Sequence, residues 1–306
     1  MSASTVSFSV LPRDAHRLII EIQDASGTWQ MPIAREQATL LAKQLTEMTE
    51  LTAEASDGRA DLIRFTEHSM VKMPSGVLWM GAMPETDPTS DAMPRHRVDV
   101  DAFELSAIVV TQGLWRHVMG SNPSMHTGSR KPVHQVSWWA AVQFCNRLSE
   151  QLGLEAVYTL QAGVVEWNRE ANGFRLPTEA EWEFAARTRD DLPFSGSDSV
   201  DEVAWTAENE AEELPDVGEK SPNLWGFHDL SGLVFEWCWD DYAPYAKSSE
   251  TVDDTVDETD ASTLKVCRGG SWQHEANWSV VTARFSYPSD FKGMVGLRIA
   301  RNGRSS

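Results

Sequence analysis

Thirteen tryptophans in a chain of 306 residues, against four tyrosines, restrict the fold more than any other feature of this sequence. An indole ring needs a large packed site, and its N–H needs an acceptor once buried. A core built on tryptophan is therefore both aromatic and polar. Long periodic segments that could set so many rings on repeated faces are scarce. Runs such as Val77-Leu-Trp-Met80 and Ala107-Ile-Val-Val110 read as short strands between loops rich in Pro, Gly and Asn. Two helices stand out. Ser137 caps the first, which runs through Ala140, Ala141, Phe144, Leu148 and Leu152 to a stop at Gly153. The second opens on Thr178-Glu-Ala-Glu181, a capping box, and continues to Arg187. Glu179, Glu181 and Glu183 suit the positive end of that helix. Spaced by two, Glu181 and Glu183 face different sides, which argues against an acid–base pair. The expected class is α+β, rich in irregular loops and held by aromatic packing.

The first fifty-five residues have another texture. Val6, Phe8 and Val10 alternate with polar neighbours, Arg17 to Ile22 reads as a second strand, and Asp24 to Gly27 turns into a third over Thr28 to Ile33. Leu41, Leu45 and Met48 recur at helical spacing between Ala34 and Leu51. The sequence thus predicts a β-meander plus one helix over 1–55, a polar linker over 56–68, and a larger domain over 69–302.

Composition excludes several roles. With 26 basic and 46 acidic residues the formal charge is −20, opposite to what phosphate backbones or anionic membranes attract. No run of 18 apolar residues is present, and the first residues lack a basic segment followed by an apolar one. The expectation is a cytoplasmic protein that meets neither nucleic acid nor membrane. Three cysteines, Cys145, Cys238 and Cys267, lack C-x-x-C spacing, so neither a disulfide framework nor a thiolate zinc site is expected. The chain carries no G-x-S-x-G elbow, P-loop or H-E-x-x-H helix. Twelve acids fall in two stretches, Glu208 to Glu219 and Glu250 to Asp260, which read as solvated loops.

Several motifs then coincide in order. They are Met80-Gly81, Pro132-Val-His-Gln-Val-Ser-Trp-Trp139 and Phe174-Arg-Leu-Pro-Thr-Glu-Ala-Glu-Trp-Glu-Phe-Ala-Ala-Arg187. Further on come Pro222-Asn-Leu-Trp-Gly-Phe-His-Asp-Leu-Ser-Gly-Leu-Val-Phe-Glu-Trp237, Arg268-Gly-Gly-Ser-Trp272 and Gly296-Leu-Arg298. Together they closely resemble the formylglycine-generating enzyme, or sulfatase-modifying-factor, domain over about residues 69–302. That resemblance implies a loop-rich fold of the C-type-lectin type. It also implies a structural calcium held by the side chains of Asp229 and Glu236 and the main-chain oxygens of Gly232 and Val234, donors that suit a hard cation. The family has Asn where this chain has Leu233.

The family's reaction oxidises a substrate cysteine with oxygen. It uses two cysteines that bind copper(I), three and eight positions after the Ser of Gly-Gly-Ser. Counted from Ser271, those positions hold His274 and Ser279, so copper and formylglycine chemistry are not expected. A related branch, the sulfoxide synthases of thiol-histidine biosynthesis, holds non-haem iron through closely spaced histidines. The eight histidines here include no pair at i, i+3 or i, i+4, and His134 and His228 read as structural. The leading expectation is therefore a non-catalytic member that binds a protein or small-molecule ligand through its C-terminal face. Candidate residues are His274, Glu275, Trp278, Phe285, Tyr287, Phe291 and Lys292, with Trp272 expected inside. The face also resembles the variable stretch of diversity-generating-retroelement proteins, which use this fold as a ligand-binding scaffold. A metal-dependent oxidoreductase with a rearranged site is the alternative.

Overall fold

The computed structural model describes residues 69–83, 91–187, 191–209, 211–245, 258–260 and 263–303, together with three strands near the N-terminus. The chain divides into two compact units, Met1–Asp57 and Gly58–Ser306. In the first, β1 (Ser7–Pro12), β2 (Arg17–Asp24) and β3 (Gly27–Ala34) form an antiparallel meander. The helix expected over 34–51 lies outside the described residues. No helix among the described residues is long and apolar enough to cross a membrane.

The second unit runs β4 (Met70–Met73), β5 (Gly76–Met80), β6 (His96–Val100), β7 (Phe103–Ser106), α1 (Gln112–Met119), α2 (Trp138–Gln151), β8 (Tyr158–Gln161), β9 (Val164–Trp167) and α3 (Glu179–Arg187). After a short helical turn follow β10 (Ala204–Trp205), β11 (Ser231–Gly232), β12 (Phe235–Asp241), β13 (Glu258–Asp260), β14 (Leu264–Arg268), β15 (Phe285–Pro288), β16 (Val295–Leu297) and β17 (Ala300–Asn302). The strands are short and spread over several small sheets. This is the loop-rich α+β, C-type-lectin-like fold expected from the sequence.

The two expected helices form as read. Ser137 accepts from the Ala140 N–H at 3.2 Å, and Gly153 follows α2 in the left-handed region. At α3 the capping box closes both ways: the Glu181 N–H donates to Thr178 Oγ1 at 3.1 Å, and the Thr178 N–H to Glu181 Oε2 at 2.9 Å. Helix α1 carries no signal that stands out in the sequence beyond its Thr111 cap and Gly120 stop. One strand expectation is corrected. Residues 107–110 form no strand; the strand ends at Ser106, and the Val110 N–H instead bonds the Leu297 carbonyl.

Strand β12 organises the unit. It lies inside a four-stranded sheet of order β15-β14-β12-β16, and the side chains of Phe235 to Asp240 are all buried. Alternate residues serve two cores. Phe235, Trp237 and Trp239 join the apolar cluster of α1 and α2, while Cys238 joins the one packed on α3. Three of the buried indoles find acceptors, while the Trp167 Nε1 is buried with none. Trp138 donates to the Cys238 carbonyl, Trp237 to the Val136 carbonyl and Trp182 to Glu236 Oε2, each at 2.8–2.9 Å.

The α3 side of the sheet is charged. Buried Arg268 donates to Glu179 Oε1 and Glu183 Oε2, both at 2.6 Å, and Arg284 reaches the two Glu179 oxygens at 2.7 and 2.8 Å. Arg187 holds the other Glu183 oxygen at 2.8 Å, where the Gly81 N–H also bonds. Glu181 faces away from these, in a fork with Arg175 at 2.6 Å on each arm. Glu179 and Glu183 thus share Arg268, while Glu181 is paired separately with Arg175.

Two consequences are testable. Glu181→Gln leaves the buried Arg175 charge without its counter-charge and is expected to cost on the order of 3 kcal/mol in urea unfolding. Asp240, buried and beside Glu179, accepts the Glu179 N–H at 2.6 Å. Burial first, and then the Glu179 charge, push its carboxyl up to about 8. The folded state therefore keeps a proton that the unfolded chain releases near pH 4, and this contribution to stability is lost as pH rises towards 8. Asp240→Asn removes that slope, so the variant should gain on the wild type steadily between pH 5 and 8 in urea midpoints. Parallel curves would contradict the assignment.

Candidate functional site

The C-terminal face is assembled by β12, β15 and the loop between β14 and β15. Glycines 269 and 270 both adopt left-handed φ as the chain leaves β14. A side chain at Gly270 would stand 2.4 Å from Ser279 Oγ, so glycine is required where the loop folds back on itself. Behind it Ser271 and Ser279 are fully buried. A single 3-10 turn, Ala276–Ser279, then carries Trp278 to the surface side.

The rings meet around Phe235. His274 stacks on Trp278 with centroids 4.5 Å apart, and Trp278 stacks on Phe285 at 4.9 Å. Phe235 meets His274 and Phe285 edge-on at 5.2 and 5.0 Å. Phe285 and Tyr287 lie two apart on β15 and so share a face; Tyr287 stacks on Phe291 at 4.1 Å. His274, Trp278, Phe285, Tyr287 and Phe291 are each half-buried, whereas Glu275 and Lys292 are exposed. The five ring-bearing candidates form one contiguous surface, with the two charged ones beside rings in sequence. Phe235, buried at its centre, is the member that sequence reasoning missed. Its place in the Val-Phe-Glu-Trp motif, one residue before Glu236 on a strand, was the available signal. Trp272, expected inside, is half-buried, edge-on to His126 at 5.6 Å and packed on the small cluster of Val109, Leu214, Val217, Leu233 and Val234.

The positions of the family's cysteine pair sit in this surface. His274 Nδ1 lies 2.6 Å from Ser271 Oγ, and burial lowers the pKa of the imidazole. The cysteines the chain does have are elsewhere. Cys145, Cys238 and Cys267 are free and fully buried, and burial pushes all three thiols upward, away from the thiolate form. His134 and His228 are occupied in loops: His134 Nε2 accepts the Met125 and His126 N–H groups, and His228 Nδ1 meets the Lys220 carbonyl at 2.8 Å.

The loop from Asp229 to Glu236 is the candidate cation site. Asp229 and Leu233 both adopt left-handed φ, near +61° and +65°. That conformation favours Asn over Leu, which accounts physically for the Asn of the family pattern at this place. Asp229 Oδ2 accepts the Gly218 N–H at 2.8 Å, and its Oδ1 is buried without a partner. Burial is the largest cause raising the Asp229 pKa, and the Glu236 charge adds to it. Both oxygens of Glu236 are engaged, by Arg298 at 2.9 and 3.0 Å and by Trp182. Gly232 lies in β11, paired with Trp205, and Val234 immediately precedes β12. Of these residues Asp229 fits a hard cation best, because its Oδ1 has no other partner. Glu236 brings a charge already balanced by Arg298. No cluster of three or more His, Cys, Asp or Glu side chains poised for a metal occurs among the described residues.

Comparison with known proteins agrees with this geometry. Residues 59–303 match the family model described as sulfatase-modifying factor enzyme 1-like domain. The chain is 32% identical to the chaperone protein LppX of Paenibacillus barcinonensis, covering 67% of this chain and 82% of that one. It is 30% identical to the formylglycine-generating enzyme of Streptomyces coelicolor, covering 82% and 94%. Among solved structures, Treponema denticola variable protein 1 superposes with a TM-score of 0.70 at 31% identity, over 76% of this chain and 95% of its own.

Proposed function

Because the chain belongs to the sulfatase-modifying factor enzyme 1-like family yet lacks that family's cysteine pair, we propose that it is a binding protein whose C-terminal aromatic face takes a protein or small-molecule ligand. One observation carries this reading. The places of both cysteines are filled, by His274 and a buried Ser279, inside a continuous surface of half-buried rings. Copper(I) needs soft thiolates, and the three thiols present are fully buried and disfavoured as thiolates. Large, rigid, half-exposed rings supply contact area at low entropic cost. Similarity to the Treponema variable protein supports the same use of the face and extends it to a diversity-generating system. In that case the adjoining DNA holds a reverse-transcriptase gene and a near-identical template repeat of the sequence encoding residues 272–295.

Purified protein is expected to hold no stoichiometric copper or iron and to consume no oxygen with a cysteine-bearing peptide. Stoichiometric metal with turnover would sink the binding reading. A ligand captured from the native source should lose affinity on the order of 10-fold or more with Trp278→Ala or Phe285→Ala, read by calorimetry at a temperature where circular dichroism shows each variant folded.

The calcium site belongs to the same proposal. Bound at Asp229, the cation would satisfy the buried Oδ1 and hold the loop before β12. Calcium is then expected to raise the melting temperature at pH 7, a chelator to lower it, and Asp229→Asn to abolish the difference. The increment should shrink as pH falls, because Asp229 is raised by burial and takes up a proton in competition with the metal. An equal calcium response in Asp229→Asn would place the ion elsewhere.

A further inference from the structure

His274 differs from its aromatic neighbours in bringing polar atoms to the face. The Ser271 hydroxyl is fully buried and therefore needs an acceptor for its hydrogen. Its oxygen already accepts the Gln273 N–H at 3.3 Å, and the acceptor within reach of the hydroxyl hydrogen is His274 Nδ1 at 2.6 Å. With Nδ1 accepting, the neutral imidazole carries its hydrogen on Nε2. Protonation of the ring leaves that hydrogen in place, so Nε2 is a donor in either charge state. Among the described residues Nε2 has no hydrogen-bond partner, and it is not buried on the half-exposed ring, so it opens to solvent. It does so among rings otherwise held against one another.

The charges beside His274 are negative, whereas Lys292 follows Phe291 at the other end of the ring series. Glu275 is the next residue and is exposed, and Glu208 Oε1 accepts the Ala276 N–H at 3.1 Å. Two carboxylates at the start of the turn disfavour a third brought in by a ligand, while an uncharged acceptor pays no such cost. Trp278 stacks on both His274 and Phe285, so a ligand meets a preorganised ring cluster.

Resting on the reading of this face as a binding surface, we propose that His274 Nε2–H is its polar determinant, donating to an uncharged carbonyl oxygen next to an apolar group, as in an amide. Ser271 is the positioning residue that fixes the donor. Carboxylates of the same shape bind less well, and amines, which offer no acceptor, do not engage the Nε2–H donor.

Nitrogen-15 NMR of the full chain tests this on the wild type. The His274 ring should show the Nε2–H tautomer at pH 7.5. Titration with N-acetylphenylalaninamide should move that Nε2–H signal together with the Trp278 indole signal. Phenylacetate should give shifts several-fold smaller at equal concentration, and phenethylamine none at Nε2–H. Ser271→Ala should turn the single tautomer into a mixture and weaken amide binding, while Ser271→Thr restores both. A wild-type Nδ1–H tautomer overturns the inference. So does a probe response at Trp278 that leaves His274 unmoved, and that outcome leaves the face itself as a binding surface. If the amide moves no signal on the face, the inference fails together with amide recognition there. Failure of Trp278→Ala to affect a captured ligand would instead remove the broader reading.

Discussion

The contact on which the larger unit depends is the buried guanidinium of Arg268, bonded to two glutamates one helical turn apart. Glu179 and Glu183 stand on the same side of α3, and Arg268 on β14 bridges them at 2.6 Å each. Such a pair does not stabilise merely by existing, since desolvating three charges offsets much of the attraction. Its effect lies in what it forbids. Any packing in which α3 slides or rotates on the sheet leaves a buried charge alone, at a cost of about 3–5 kcal/mol. In a fold whose strands are mostly three to five residues long, apolar packing alone specifies registry weakly. The charges supply it: Arg284 and Arg187 complete the network around α3, and Arg298 fixes Glu236 on the neighbouring strand.

This arrangement explains why β12 is buried on both sides. Odd-numbered positions from Phe235 to Trp239 are aromatic and face α1 and α2; even-numbered ones carry Glu236, Cys238 and Asp240 towards α3. The same two-residue period thus joins an aromatic core to a charged one. Phe235 is the link to function. It is the buried end of the aromatic series on β12 and the centre around which the rings of the C-terminal face gather.

Much of this was legible in the sequence. The capping box at Thr178, the Ser137 cap and the alternation within β1 to β3 are local signals, and local hydrogen bonding enforces them. The density of aromatic residues between His274 and Phe291 also signals the ring cluster that gathers around Phe235. What was not legible depends on long-range partners. The pairing of Glu183 with Arg268 spans 85 residues, and nothing local distinguishes it from a solvated glutamate on a helix. The run Ala107 to Val110 has strand composition, yet its backbone hydrogen bonds go to scattered partners, Ser69 and His228 at Ala107 and Leu297 and Val133 at Val110, so no ladder forms. Trp272 was placed inside by analogy with its fellow tryptophans, but its neighbours form only a small satellite cluster that leaves the ring half-buried.

The exchange of two cysteines for His274 and Ser279 is more than a deletion. A thiol pair needs room for a soft metal and for oxygen; here Ser279 Oγ is buried against the loop at Gly270, and the His274 ring is stacked into the wall. Both positions are taken up by packing. The loop requires glycine at 269 and 270 and buries Ser271, which fixes its course at these positions. Rigidity without a reactive group lowers the entropic cost of ordering side chains when a partner binds. A face whose rings are already stacked and whose histidine is already oriented pays little to receive a ligand. That is the physical sense in which a fold associated with oxidation can serve recognition.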